Sequence, residues 1–355
     1  MWTLLTIFLV SFSACYLLSF PVRLLASRLA VLDYPDQRKI HSVPIPSLGG
    51  LALLGAFAAA AIVAVKTDPQ RFFLFRQPLA GLVIGAAIVT MLGLWDDVRG
   101  SGAAIKLAIQ GAVGVLMYLY GFRIERITTP FEGILELRWG GLALTVLWYC
   151  IMMNAMNLID GLDGLAAGIS AIAGVTIFAI SFHWDEPLAA FLALTIVGIS
   201  VGFLPHNFYP AKIFMGDTGS LLLGFLLASL TLITNTKAPA ILTLLVPLVA
   251  LGLPLVDTLY AFLRRCLMRA HPFRADNRHL HHRLLALGLS HKRVVILLYY
   301  VSGYLGVMAY ILSKVSPGIT LLTVLILAIG LFLLIENLNF LERRGKSSHD
   351  TSRDP

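Results

Sequence analysis

The sequence predicts an all-α polytopic membrane protein, on three observations. Of 355 residues, 58% are hydrophobic and only 13% are charged, about half the charged share of a soluble domain. The apolar residues fall in runs near the ~20 residues that a helix needs to cross the hydrocarbon layer. By that length the chain divides into about eleven spans, roughly 2–20, 48–65, 79–95, 103–121, 140–157, 164–182, 187–204, 218–235, 239–262, 293–313 and 317–338. The third observation is the distribution of basic residues. With the N-terminus outside and the spans alternating, most of the 27 Lys and Arg fall on inner loops and the C-terminal tail, as the positive-inside rule requires.

The first span has no basic lead-in and runs on without a break, so it reads as a retained helix rather than a cleaved signal. Cys15, Cys150 and Cys266 are scattered, with neither metal-ligand nor disulfide spacing. The net charge of +8 is chiefly a topology signal, with a secondary attraction to anionic lipid and anionic substrate on the inner face. The expected layout is a single integral-membrane domain over 1–340 in the inner (plasma) membrane, followed by a charged, disordered cytoplasmic tail over 341–355. The expected partners include the lipid bilayer and exclude nucleic acid, and a homodimer is left open.

Between the first two spans lies a Pro- and Gly-rich segment, Asp33 to Gly50, which reads as an ordered inner loop. Lys39 and His41 in it are candidates for touching a phosphate, although a plain basic loop has the same spacing. Span three ends at Trp95-Asp96-Asp97. Adjacent carboxylates at a membrane boundary repel unless a cation or donor sits between them, which suits Mg²⁺ or proton transfer. Residues 122–139 alternate apolar and polar around Pro130 and Gly133 and predict a small outer β-hairpin of structural role.

Residues 157–164, Asn-Leu-Ile-Asp-Gly-Leu-Asp-Gly, place two carboxylates and an amide where hydrocarbon would begin. Such residues are costly there and mark function by default. Asn157, Asp160 and Asp163 recur every third residue, which turns them to roughly one side of a helical turn; a polar helix cap with a glycine break is the plainer alternative. Before span eight come Asn207, Phe214 and Asp217, with Gly216, Gly219 and Ser220 beside them. A helix start of this kind suits a phosphate or metal phosphate, and Asp217 also serves as a simple N-cap. Phe214 either stacks on a base or seats its loop in the bilayer. The largest inner loop, 264–292, carries His279, His281, His282 and Arg283 among further arginines. Closely spaced histidines invite zinc, but no cysteine accompanies them, and guanidinium forks pair well with phosphates.

On the alternating topology all four polar clusters face the cytoplasm. Carboxylates plus an amide suit Mg²⁺, which prefers oxygen and bridges to substrate phosphates. The residues alone therefore indicate Mg²⁺-dependent phosphoryl transfer to a lipid phosphate.

Trp95-Asp96-Asp97, Asn157 to Gly164, Phe214-Met215-Gly216-Asp217-Thr218-Gly219-Ser220 and His279-Leu280-His281-His282-Arg283-Leu284, in this order over about residues 1–335, resemble the polyprenyl-phosphate N-acetylhexosamine-1-phosphate transferases (glycosyltransferase family 4). Within that family the Pro35–His41 loop and the His-Leu-His-His form are similar to the branch that uses UDP-N-acetylglucosamine (UDP-GlcNAc). The phospho-N-acetylmuramoyl-pentapeptide transferases show an unbroken three-histidine run, which Leu280 interrupts here. The resemblance implies transfer of GlcNAc-1-phosphate from UDP-GlcNAc to undecaprenyl phosphate with release of UMP. It implies Mg²⁺, with Mn²⁺ as an alternative, held by Asn157 and Asp217. It places catalytic carboxylates at Asp96, Asp97 and Asp160, the first two by the lipid phosphate. Phe214 stacks on uracil with Asp163 and Asn207 nearby, and His279, His281, His282 and Arg283 form the sugar- and phosphate-binding loop. Lys39 and His41 are counted with the substrate-binding groups.

A phosphate monoester has a second pKa near ~6 and is mostly dianionic at neutral pH, so direct in-line displacement is expected over a general base or an aspartyl-phosphate. A transporter is the reading from another class. It predicts carboxylates near the bilayer midplane at a repeat interface, whereas here they cluster at one boundary.

Overall fold

The computed structural model describes residues 2–35, 43–128, 134–233, 251–252, 255–256, 280–316, 318–330 and 332–333. Its long helices are α1 (Trp2–Arg28), α2 (Gly50–Thr67), α4 (Arg76–Arg99), α5 (Ala103–Leu119), α6 (Trp139–Ile159), α7 (Leu165–His183), α8 (Pro187–Asn207), α9 (Gly216–Ile233) and α11 (His291–Leu312). Two short helices, α3 (Pro69–Leu74) and α10 (Leu280–Ala286), join them. Eight of the described helices are long and apolar enough to cross a membrane, and the shorter apolar helices Ala103–Leu119 and Gly318–Gly330 lie at two further expected spans. The expected span 239–262 and the tail from 341 lie outside the described residues.

The expected hairpin is present as β3 (Arg126–Thr128) paired antiparallel with β4 (Ile134–Glu136). A second two-stranded ladder pairs β1 (Leu32–Asp33) with β2 (Ile45–Pro46). The sequence indicates only an ordered loop there, because two-residue strands carry no periodicity to read.

The bundle is built around α9, which is buried throughout from Thr218 to Ile233. Its sequence is apolar around the whole circumference, as a helix enclosed by others must be. Helices α4, α6, α2, α8 and α7 pack on it. Two buried hydrogen bonds tie α6 to α9, from Trp148 Nε1 to Thr231 Oγ1 at 2.9 Å and between Tyr149 Oη and Ser229 Oγ at 2.9 Å. In a bilayer such contacts, together with close packing, replace the hydrophobic drive that water gives a soluble bundle. The outer helix α1 instead leaves Leu5, Leu9, Leu17 and Leu24 exposed, as a lipid-facing surface.

Chain reversals bring the C-terminal ends of α4, α6 and α8 beside the N-terminal ends of α5, α9 and α11, through the contacts described next. The clusters at Asp96–Asp97, Asn157–Asp163 and Asn207–Asp217 therefore meet at one end of the bundle.

Candidate active site

Helix α4 runs on to Arg99, so Asp96 and Asp97 lie on its last turn rather than in a loop. They point to different partners. Asp97 accepts the backbone N–H of Asp217 at 2.9 Å, and both the N–H and the hydroxyl of Thr218, at 3.0 and 2.5 Å. It therefore caps α9 from another helix, satisfying donors that a helix start leaves open. This frees Asp217 from the capping role that its position in the sequence also allows. Gly216 is in the left-handed region at φ +68°, and a Cβ there would overlap the Asp97 carboxylate. Gly93, one turn before Asp97, lets α4 lie directly on the backbone of Thr218.

Asp96 accepts the N–H and hydroxyl of Ser101, both at 2.6 Å, which closes the turn from α4 into α5. Its other oxygen lies 2.6 Å from Lys106 Nζ. The same ammonium contacts Asp217. Asn157, on the last turn of α6, donates to Asp217 Oδ1 at 2.7 Å and to Ser220 Oγ at 3.0 Å. Side chains from four helices thus converge: Asp96 and Asp97 from α4, Lys106 from α5, Asn157 from α6 and Asp217 from α9. Lys106, Asp96 and Asp217 each keep about one-fifth of their side-chain surface exposed, so the cluster opens to solvent. Lys106 is not among the site residues expected from the sequence, where it is one of the inner-loop basic residues. Its signal was a basic residue in the first turn of a helix that directly follows an acidic pair.

The three-residue repeat of Asn157, Asp160 and Asp163 runs past the end of a helix. Helix α6 stops at Ile159 and Asp160 is its C-cap, so the periodicity ends there. Asn157 faces Asp217, whereas Asp163 turns to the α8–α9 loop and accepts the N–H of Ala211 at 2.9 Å. Asp160 lies between them. Burial first, then the charges of Asp217, Asp97 and Asp163, hold its carboxyl well above the usual carboxylate range. The last three are the neighbours expected if the acidic groups share one site.

Asn207 uses its amide on the backbone, accepting from Gly164 N at 3.1 Å and donating to Ile213 O at 3.0 Å. It locks the turn after Asp163 to the loop before Phe214. Phe214 is half-buried. Its N–H donates to Pro46 O at 2.8 Å and its C=O accepts from Gly49 N at 2.9 Å. Pro46 and Gly49 of the Pro/Gly segment thus dock on the α8–α9 loop. Lys39, His41 and His279 lie outside the described residues. For His281 and His282 the helix α10 is described but not the side chains, and Arg283 on the same helix is buried. Among the described residues no three His, Cys, Asp or Glu are placed to share one metal ion.

Residues 79–235, from the first turn of α4 past the end of α9, match the family described as Glycosyl transferase family 4. The chain is 34% identical over 331 residues to a Bacillus subtilis protein named probable undecaprenyl-phosphate N-acetylglucosaminyl 1-phosphate transferase, covering 93% of this chain and 90% of that one. It is 34% identical to a decaprenyl-phosphate N-acetylglucosaminephosphotransferase of Mycobacterium tuberculosis, over 83% of this chain and 78% of the other. It is 32% identical to a phospho-N-acetylmuramoyl-pentapeptide-transferase of Desulforudis audaxviator, over 76% and 85%. With 34% identity over 93% of its length to the B. subtilis protein, and with the family match over the segment that carries the acidic cluster, the chain belongs to glycosyl transferase family 4, the polyprenyl-phosphate N-acetylhexosamine-1-phosphate transferases.

Proposed function

We propose that this protein transfers GlcNAc-1-phosphate from UDP-GlcNAc to undecaprenyl phosphate at the cytoplasmic face of the plasma membrane. The observation that carries the reading is the convergence of Asp96, Asp97, Asn157 and Asp217 around Lys106 at one end of an apolar bundle. A site at the edge of the hydrocarbon is where a water-soluble nucleotide sugar and a lipid phosphate can meet. The B. subtilis relative supports the sugar and the acceptor by its name, and Leu280, which breaks the histidine run, supports the sugar.

The donor set suits Mg²⁺. It consists of hard oxygens from Asp217 and Asn157, and its place beside Asp96 already accepts the positive charge of Lys106. A Mg²⁺ site of this class takes one or two protein carboxylates and completes its shell with water and phosphate oxygens. Asp217 and Asn157 are the residues that would hold the ion. When bound, it supplies charge neutralisation on the diphosphate.

In the reaction, an oxygen of undecaprenyl phosphate forms a bond to the sugar-linked phosphorus. The bond from that phosphorus to the bridging oxygen breaks, and UMP leaves with that oxygen. The acceptor is mostly dianionic at neutral pH, so the protein need not remove a proton. Its work is positioning and neutralising charge. Lys106 offers an ammonium to the phosphates once it exchanges a carboxylate for them. Asp97 and Asn207 keep the α9 start and the two loops in register. Asn207 ties the Asp163–Gly164 turn to Ile213, the residue before Phe214, and the Phe214 ring is the group that would stack on uracil.

The test is direct. Purified protein is incubated with undecaprenyl phosphate, Mg²⁺ and either radiolabelled UDP-GlcNAc or radiolabelled UDP-MurNAc-pentapeptide. UMP and a GlcNAc-carrying lipid are expected with the first and not with the second. The reverse pattern would overturn the sugar assignment, and uptake into proteoliposomes without any lipid product would overturn the transferase reading.

A further inference from the structure

The motifs end before α11, yet α11 reaches the turn that joins α6 to α7. Tyr299, two turns into α11, donates its hydroxyl to the carbonyl of Gly164 at 2.6 Å. Its ring lies against Gly168, where any Cβ would overlap it. The same Gly164 presents its N–H to Asn207 Oδ1 at 3.1 Å, so the residue after Asp163 is held through both of the peptide units that flank it. At the start of α11, buried His291 has Nε2 3.9 Å from Asp163 Oδ1, and its ring packs on Tyr209 with centroids 4.6 Å apart. The other Asp163 oxygen is held by Ala211 N. Two residues of α11 therefore touch consecutive residues of one turn, and neither belongs to the four motifs.

We infer that Tyr299 is a positioning residue for the Asp163–Gly164 turn, setting affinity for the uridine nucleotide rather than the rate of phosphoryl transfer. This inference rests on the transferase reading above. The carboxylates at the reacting phosphates are fixed by α4, α5, α6 and α9 without help from α11. The turn with Asp163 and Gly164 does make contacts to α11. Loss of the Tyr299 hydroxyl leaves the ring in its notch and removes one of the Gly164 carbonyl's donors, Gly168 N–H at 2.9 Å remaining.

The experiment compares wild type, Tyr299→Phe, Asp163→Asn and the double variant as full-length protein in nanodiscs. Michaelis constants are measured for UDP-GlcNAc and undecaprenyl phosphate, with melting temperature alongside. One hydrogen bond to a held turn predicts a rise of roughly three- to tenfold in KM for UDP-GlcNAc in Tyr299→Phe, with kcat and the lipid KM unchanged. In the Asp163→Asn background the same change is expected to add nothing further, because both act through one turn. An unchanged nucleotide KM, additive effects in the double variant, or kcat and melting temperature falling in step would each overturn the inference. Absence of turnover in the wild type would overturn the transferase reading, and this inference with it.

Discussion

Asp97 holds Thr218 twice, through its backbone N–H at 3.0 Å and its hydroxyl at 2.5 Å. The end of α4 is thereby bolted to the start of α9, the helix that carries Asp217. An acidic residue adjacent in sequence to Asp96 thus does a different job from its neighbour.

Asp97→Asn keeps the shape but removes the charge that faces the N-terminal end of the α9 dipole. A cap of this kind contributes about 1 kcal/mol, and the charge adds a fraction of that. The expected result is a lowered melting temperature together with reduced transfer, as Asp217 loses its fixed place. Parallel thermal unfolding and turnover assays check it; unchanged stability would remove the capping role.

Lys106 sits between Asp96 and Asp217. Lys106→Met removes the positive charge while filling similar volume, and leaves two carboxylates facing each other. Preorganised charge stabilisation of a phosphoryl transition state is worth roughly 10²–10³ in rate. Turnover is expected to fall by about that factor while the protein still inserts into membranes. Activity within about threefold of wild type, well short of that factor, would show that the ammonium serves the resting structure alone.

Asp160 links the cluster to pH. Its carboxyl is held above the ordinary range by burial first and by Asp217, Asp97 and Asp163 next. The unfolded chain titrates it near ~3.9, so the folded state keeps the proton to higher pH. This contribution to stability is full below the unfolded value and is lost as pH rises through the folded one. Without divalent ions, wild type should therefore lose stability with rising pH relative to Asp160→Asn. Mg²⁺ should narrow that difference and expel protons on binding, which calorimetry in buffers of different ionisation heat detects.

Gly93→Ala places a methyl against the backbone of Thr218. Backbone on both sides cannot swing aside as a side chain would, so α4 and α9 must separate. The expected cost is in the range of ~1–3 kcal/mol found for overpacking, with transfer lost more steeply than stability because the Asp97 contacts open. Denaturant unfolding and turnover of the purified variant measure both.

The sequence by itself determined the membrane class, the long apolar helices among the described residues and the acidic motifs. Span length and hydrophobicity are local properties, and residues such as Asp96 or Asp217 at the end of an apolar run stand out against it. It also marked the hairpin, through alternation around Pro130 and Gly133. Only the tertiary structure decided what each polar group faces. Asp96 and Asp97 are neighbours in the chain with different partners, because adjacent residues on a helix point about 100° apart. Lys106 entered the cluster through a contact 111 positions away from Asp217, a relation that no local pattern encodes. The same holds for Tyr299 and Gly164, 135 positions apart: packing of α11 on α7 brings them together, and spacing along the chain carries no trace of it.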